Sequence, residues 1–445
     1  MSSDQEQASG RLHQVVGRDG PLFSRRALLS SCASVAVAAV AGPVAVSVAS
    51  EPRRAARSSV AARSGVAARS GVGRGRIDEV AVHRIFGDTA RELRVPGCVL
   101  LVQTPDQELF ASYGTGLQGA IVPLSNFDRF RVGSVTKTMT GTVILQLAQR
   151  GQLSLQAPVS RFVSGVPNGG EITIEQLMTM RSGLYDYAQS PSLNRALDEH
   201  PTARYEPRDL IRIAFRARPN PVPGGAFEYC NTNTILLGMI AQRSLDGQSL
   251  PQMFRERLYD PLDMHDTVMP AIRSSAIPGP HTQGYMYGTN ASTLQTFRLP
   301  PQQLKRALAG RLKPHDVTDL NPSWAGAAGA AISTLQDMAT WTSGLVDGAL
   351  LNRTWQRRRL VSCRPVSPSN PAGYGLGIAK VGPLYGHGGA IQGFNSQVGR
   401  DPRRKLTLVV LANLLTSPQG RPPAATIFER LAAELYGPAV PSAGQ

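Results

Sequence analysis

The sequence predicts one mixed α/β domain: a sheet assembled from the two ends of the folded part, with a mainly helical insertion between them. Three observations carry this. Strand-like runs occur at 98–102 and 109–113, and again at 375–381, 393–399 and 406–412. Between them, 152–320 alternates helical apolar spacing with Pro/Gly-rich loops. The chain has 445 residues and is 42% hydrophobic, enough for a sizeable core, which excludes wholesale disorder.

Taken in order, residues 1–23 are polar, and Ser24-Arg25-Arg26 then precedes an uncharged Ala/Val-rich run over 27–49. A basic pair ahead of such a run is an export signal, here of twin-arginine type, with small residues near 50 where it could be cleaved. The same 23 uncharged residues are also long enough for an uncleaved membrane anchor. Residues 51–76 repeat Val-Ala-Ala-Arg-Ser-Gly in tandem and cannot build a core, so they read as a linker. Its arginines suit contact with an anionic envelope surface, or simply solvent. From 77 to 445 the chain reads as one domain. Val80, Ile85, Phe86, Ala90 and Leu93 take helical spacing, which Pro96-Gly97 stops. Two strands then flank a turn at Pro105-Asp106, and a helix is predicted from Ser134 to about Gln149, capped by Gly151. Further helices are predicted over 174–180, 233–242 and 424–435; the Arg-rich stretch 297–313 carries no clear pattern.

The formal net charge of +16 raises a nucleic-acid reading. The distribution weakens it: residues 1–76 hold 11 Arg and 4 acidic residues, a net of +7, and 42 of the chain's 47 basic residues are Arg. No aromatic-interleaved basic stretch accompanies them, so no nucleic-acid partner is predicted. The four cysteines form no C-x-x-C and there is no H-E-x-x-H, so no metal is predicted. Without a G-x-S-x-G elbow, an α/β-hydrolase is also disfavoured.

Three short motifs carry chemistry. Ser134 and Lys137 open the predicted helix and share one of its faces at i, i+3. A hydroxyl needs an adjacent base to become a nucleophile, and a lysine serves if held neutral. Burial and the positive end of the helix both disfavour the ammonium. In Tyr229-Cys230-Asn231, an extended segment would aim Tyr229 and Asn231 to one side and Cys230 to the other. A tyrosine near a cation can shuttle a proton, and Asn231 can hydrogen-bond Lys137 and substrate. In His387-Gly388-Gly389, the glycines let a ligand approach the backbone, and His387 would face the site as a hydrogen-bond donor or a charge.

In this order, S-x-x-K, Y-x-N and H-x-G resemble the serine β-lactamase and penicillin-binding-protein superfamily. The branch is that of class C β-lactamases, D-alanyl-D-alanine carboxypeptidases and related esterases. Phe130-Arg131-Val132-Gly133 before the serine, Ser182-Gly183-Leu184 and Tyr374-Gly375-Leu376-Gly377 resemble it too. The resemblance implies a β-lactamase/transpeptidase-like fold, an antiparallel sheet with flanking helices plus a mainly helical subdomain. It also implies an acyl-enzyme at Ser134, general-base work shared by Lys137 and Tyr229, and an oxyanion hole from the N–H groups of Ser134 and Ala390. No cofactor is implied. The expected substrate is a small peptide, amide or ester, including cell-wall peptide. D,D-carboxypeptidase, carboxylesterase and weak β-lactamase are its versions, and a non-catalytic penicillin-binding-like module is the alternative of another class. Class C β-lactamases carry K-T-G at the third motif; His387 lowers the positive charge that would receive a substrate carboxylate.

Overall fold

The computed structural model describes residues 77–217 and 222–437. The expectations for the signal at 1–50 and the linker at 51–76 lie outside the described residues. The first helix, α1 (Glu79–Glu92), starts where the Asp78 carboxylate accepts the Ala81 N–H, satisfying an orphan donor of the first turn. Strands β1 (Gly97–Gln103) and β2 (Glu108–Gly114) follow as an antiparallel pair. The chain then leaves the sheet and returns only at residue 364. Between lie three helices that matter for the site or core: α2 (Thr136–Gln149), α3 (Asn231–Ser244) and α4 (Leu335–Asp347). The return supplies β3 (Arg364–Ser367), β4 (Asn370–Tyr374), β5 (Ala379–Val381), β6 (Leu384–Ile391), β7 (Phe394–Asp401) and β8 (Leu406–Ala412). Helix α5 (Pro423–Tyr436) closes the fold.

The eight strands form one antiparallel sheet in the order β2-β1-β8-β7-β6-β5-β4-β3, so the chain's two ends meet at the β1–β8 pair. Both strands are buried on both faces, which is why they read as continuous apolar runs. Period-two alternation sorts their side chains. Leu100, Val102, Leu408 and Val410 pack with Phe86, Ile427 and Leu431 of α1 and α5. Val99, Leu101, Val409 and Leu411 join the larger core that holds α2, α3 and α4.

Helix α2 is buried nearly all round, as the central helix of a core should be. Its threonines are tolerated because each hydroxyl is satisfied: Thr138 accepts from Trp341 Nε1, and Thr140 donates to the Ala327 carbonyl. Three elements differ from the sequence expectation. The run 375–381 is a turn followed by a short strand, because Gly377 takes φ +66° and packs against Gly141 of α2. Strand β6 carries three glycines that mask it in the sequence, and pairing with β5 and β7 on either side decides its conformation. Helix α3 begins at Asn231, two residues earlier than expected. The stretch without clear pattern, 297–313, contains a helix over Pro301–Leu308.

Candidate active site

The site forms where the start of α2, the start of α3 and strand β6 converge. Gly133 adopts φ +53°, a left-handed turn that favours glycine, and an added Cβ there would lie 2.7 Å from the Ala390 backbone nitrogen. The turn therefore presses the chain before Ser134 against β6. The Ser396 hydroxyl of β7 fixes this contact by donating to the Val132 carbonyl at 2.8 Å. Gly133–Val135 forms a single 3-10 turn that runs directly into α2, so Ser134 and Lys137 share a face as expected.

Lys137 is 1% exposed, and its ammonium nitrogen lies within hydrogen-bond distance of oxygens on Ser134, Asn231 and Ala328. Its Nζ lies 3.0 Å from Ser134 Oγ, 2.7 Å from Asn231 Oδ1 and 2.8 Å from the Ala328 carbonyl. The last two oxygens only accept, so they fix two N–H directions and leave the third for the serine. As an ammonium, Lys137 donates to Oγ. As an amine in the same pose, it turns its lone pair to the Ser134 hydroxyl, the arrangement of a nucleophile and its base. The Tyr229 ring sits against Nζ, 4.9 Å from nitrogen to centroid. Tyr229 and Asn231 thus both reach Lys137, though not from one extended segment: Cys230 is the extended residue before α3, and Asn231 is in its first turn. The Cys230 thiol points away, toward the Leu184 carbonyl at 3.3 Å, and burial raises its pKa.

Two partners of the site carry no motif in the sequence. The Ala328 carbonyl belongs to a short helix, Gly326–Gly329, whose Ala/Gly composition offers no chemical signal. Asp186 is buried behind Asn231. It accepts the Asn231 backbone N–H on Oδ1 at 3.2 Å and the Asn231 side-chain amide on Oδ2 at 3.0 Å. Burial raises its pKa; the Ala188 N–H, the Lys137 charge and both Asn231 donors work in the opposite direction. The only cue was an acid two residues after Ser182-Gly183-Leu184.

His387 corrects one expectation. It is 1% exposed and packed among Tyr229 and Tyr374, with ring centroids 6.2 Å and 5.6 Å away. Its Nδ1 lies 2.5 Å from the Gly388 carbonyl, and its Nε2 lies 3.2 Å from the Tyr374 hydroxyl. A carbonyl only accepts, so Nδ1 carries a proton; in the neutral ring Nε2 then accepts from Tyr374. Burial first, then the Lys137 charge, lowers the His387 pKa to about 3. With its one proton donated to the Gly388 carbonyl and Nε2 on Tyr374, neutral His387 offers a substrate neither the expected charge nor the expected donor. The neighbouring Gly389 has its backbone against the Val132 carbonyl and Ser396, where no Cβ fits, and Gly388 lies between.

Comparison with known proteins identifies the family and the fold. The family profile described as Beta-lactamase matches residues 82–432. A D-stereospecific amidohydrolase from Streptomyces sp. superposes with a TM-score of 0.68 at 29% identity, over 81% of this chain and 100% of that one. An unguisins hydrolase of Aspergillus campestris is 25% identical, over 74% of this chain and 60% of its own length. A D-aminopeptidase of Cereibacter sphaeroides is 26% identical, over 65% of this chain and 51% of its own length. The alignments with the first curated relatives span 34–67% of those proteins' length. By fold, by motif order and by profile, the chain belongs to the β-lactamase family.

Proposed function

We propose that this protein is an exported serine hydrolase that forms an acyl-enzyme at Ser134 and acts on a D-amino-acid peptide, amide or ester. The observation that carries the proposal is the hydrogen-bonded Ser134–Lys137–Asn231 cluster beside the Ala390 backbone. Ser134 Oγ attacks the substrate carbonyl carbon while its proton passes either to Lys137 as a neutral amine or to Tyr229 as a phenolate beside a charged Lys137; the two bases are alternatives. The oxyanion receives the backbone N–H groups of Ser134 and Ala390. Collapse expels the amine or alcohol, which takes the proton. Water then attacks the ester and releases the acid, restoring Ser134.

Stereochemistry follows by analogy with the relatives named for D-aminopeptidase and D-stereospecific amidohydrolase activity. Uncharged His387, with both nitrogens engaged, supports amides and esters over two other versions of the family reaction. A D-alanyl-D-alanine end and a β-lactam each bring a carboxylate, which a cation at the third motif would favour and a neutral His387 does not. D,D-carboxypeptidase and weak β-lactamase activity are therefore the second reading.

The test is a side-by-side panel of D-phenylalanine amide, a nitrophenyl ester, a D-Ala-D-Ala peptide and a chromogenic cephalosporin, with Ser134→Ala as control. Turnover of the amide or ester that vanishes in Ser134→Ala is expected. Dominant D-Ala-D-Ala cleavage favours the second reading, and no Ser134-dependent turnover of any substrate rejects both. Export rests on the Arg25-Arg26 pair and the uncharged run behind it. Replacing both arginines by lysine is expected to leave the protein in the cytoplasm; unchanged export overturns that part. The linker's arginines are proposed to contact the cell envelope.

A further inference from the structure

We propose that Asp186 is a positioning residue for acylation, acting through Asn231 to keep that residue's carbonyl oxygen, rather than its amide nitrogen, turned to Lys137. This rests on the reading of Ser134 and Lys137 as nucleophile and base.

An asparagine side chain presents an oxygen and an NH2 of nearly equal shape, and only its partners decide which faces where. On one side of Asn231 stands Lys137 Nζ, a donor as ammonium, which requires Oδ1 at 2.7 Å. On the other stands a carboxylate, which only accepts and therefore requires Nδ2, here at 3.0 Å from Asp186 Oδ2. The two demands agree. Asp186 Oδ1 meanwhile takes the Asn231 backbone N–H at 3.2 Å and the Ala188 N–H at 3.1 Å. One buried carboxylate thus fixes both the main chain and the side chain of Asn231, and ties the loop at 186–189 to the start of α3.

Exchanging Asp186 for Asn preserves size and the Oδ1 acceptor, but sets an NH2 against the Asn231 NH2. Two donors cannot bond to each other. Asn231 either loses its restraint or flips, and a flip turns its NH2 to Lys137. Lys137 then loses the acceptor that directs its third hydrogen-bonding position at Ser134. The substitution therefore acts on the chemical step and not on substrate binding, and it does so only while Asn231 is present.

The experiment measures the rate at which a fluorophosphonate phosphonylates Ser134, with fluoride leaving, in wild type, Asp186→Asn, Asn231→Ala and the double variant, with thermal unfolding recorded for each. A loss of at least tenfold in maximal rate for Asp186→Asn is expected, with half-saturating probe concentration within about threefold of wild type. Asp186→Asn should add less than about threefold when Asn231 is already alanine. A residue that merely holds the fold together would cost the double variant as much as wild type. Labelling of Asp186→Asn at the wild-type rate overturns the proposal, and so does a full independent loss in the Asn231→Ala background. If Asp186→Asn does not accumulate as a folded protein, Asp186→Glu replaces it; that variant keeps the charge but moves the carboxylate by one methylene, with the same outcomes applied. Failure of wild type to label, or equal labelling of Ser134→Ala, overturns instead the reading of Ser134 as nucleophile.

Discussion

At Lys137 the arrangement of acceptors decides the chemistry. Two carbonyl-type oxygens fix two of its hydrogen-bonding directions and leave one, aimed at Ser134. Lys137→Met keeps much of the volume but removes the base and strands two buried acceptors. Acylation is expected to fall about 10²–10⁴-fold, the range for loss of a positioned base, read as the labelling rate at saturating probe. His387 yields a pH prediction. Its folded pKa, about 3, lies below the ordinary histidine value of 6.5. Above that ordinary value neither state binds the proton. Between 6.5 and about 3 only the unfolded chain does, so His387 makes stability fall as pH drops through that window. Urea midpoints should show a shallower acid loss in His387→Gln than in wild type. Identical slopes would contradict a neutral, buried His387. The Ser134–Lys137 pair was legible in the sequence because helical spacing of three is local. Asp186 and Ala328 were not: they reach the site from 45 and 191 positions away from their partners, and one of them offers only a backbone oxygen.

Among the elements, the turn at Gly133 and strand β6 have to fit together with backbone against backbone. Gly133→Ala meets both a positive φ and a Cβ lodged 2.7 Å from the Ala390 nitrogen. A cost of about 1–3 kcal/mol is expected from the backbone conformation, seen as a lower unfolding temperature. A drop in acylation rate should accompany it, because the Ala390 backbone must shift. Full activity at wild-type stability would show that this contact does not set the oxyanion geometry. Strands β1 and β8 were legible from their unbroken apolar runs. Strand β6 was legible only at its glycine pair, as a strand edge, because glycines carry no apolar pattern; pairing with β7 along its length and with β5 at 384–386 makes it a strand. The Tyr229-Cys230-Asn231 segment shows the same limit. The residue types were readable, and Cys230 does point away. The helix itself is predicted at 233–242; what the local pattern does not place is its start at Asn231, which sets Tyr229 and Asn231 on different elements.

For the whole molecule, the charge separates into parts with different meanings. Net +7 of the +16 lies in residues 1–76, ahead of the domain that carries the site. The remainder surrounds a sheet core closed by the chain's two ends, with Ile77 already tied to Gln107 of the turn between β1 and β2. A chain beginning at residue 77 is therefore expected to fold and to label at the rate of the full chain; a loss above about threefold would give residues 1–76 a part in the site. Cys98, Cys230 and Cys363 are all free thiols among the described residues, so reductant should leave the unfolding temperature of that chain unchanged. The most direct test of Ser134 as the nucleophile is peptide mass mapping after phosphonylation by a fluorophosphonate. One adduct per chain is expected, on the peptide containing Ser134, and none in Ser134→Ala. An unmodified wild-type protein, or an adduct that persists in Ser134→Ala, would contradict it.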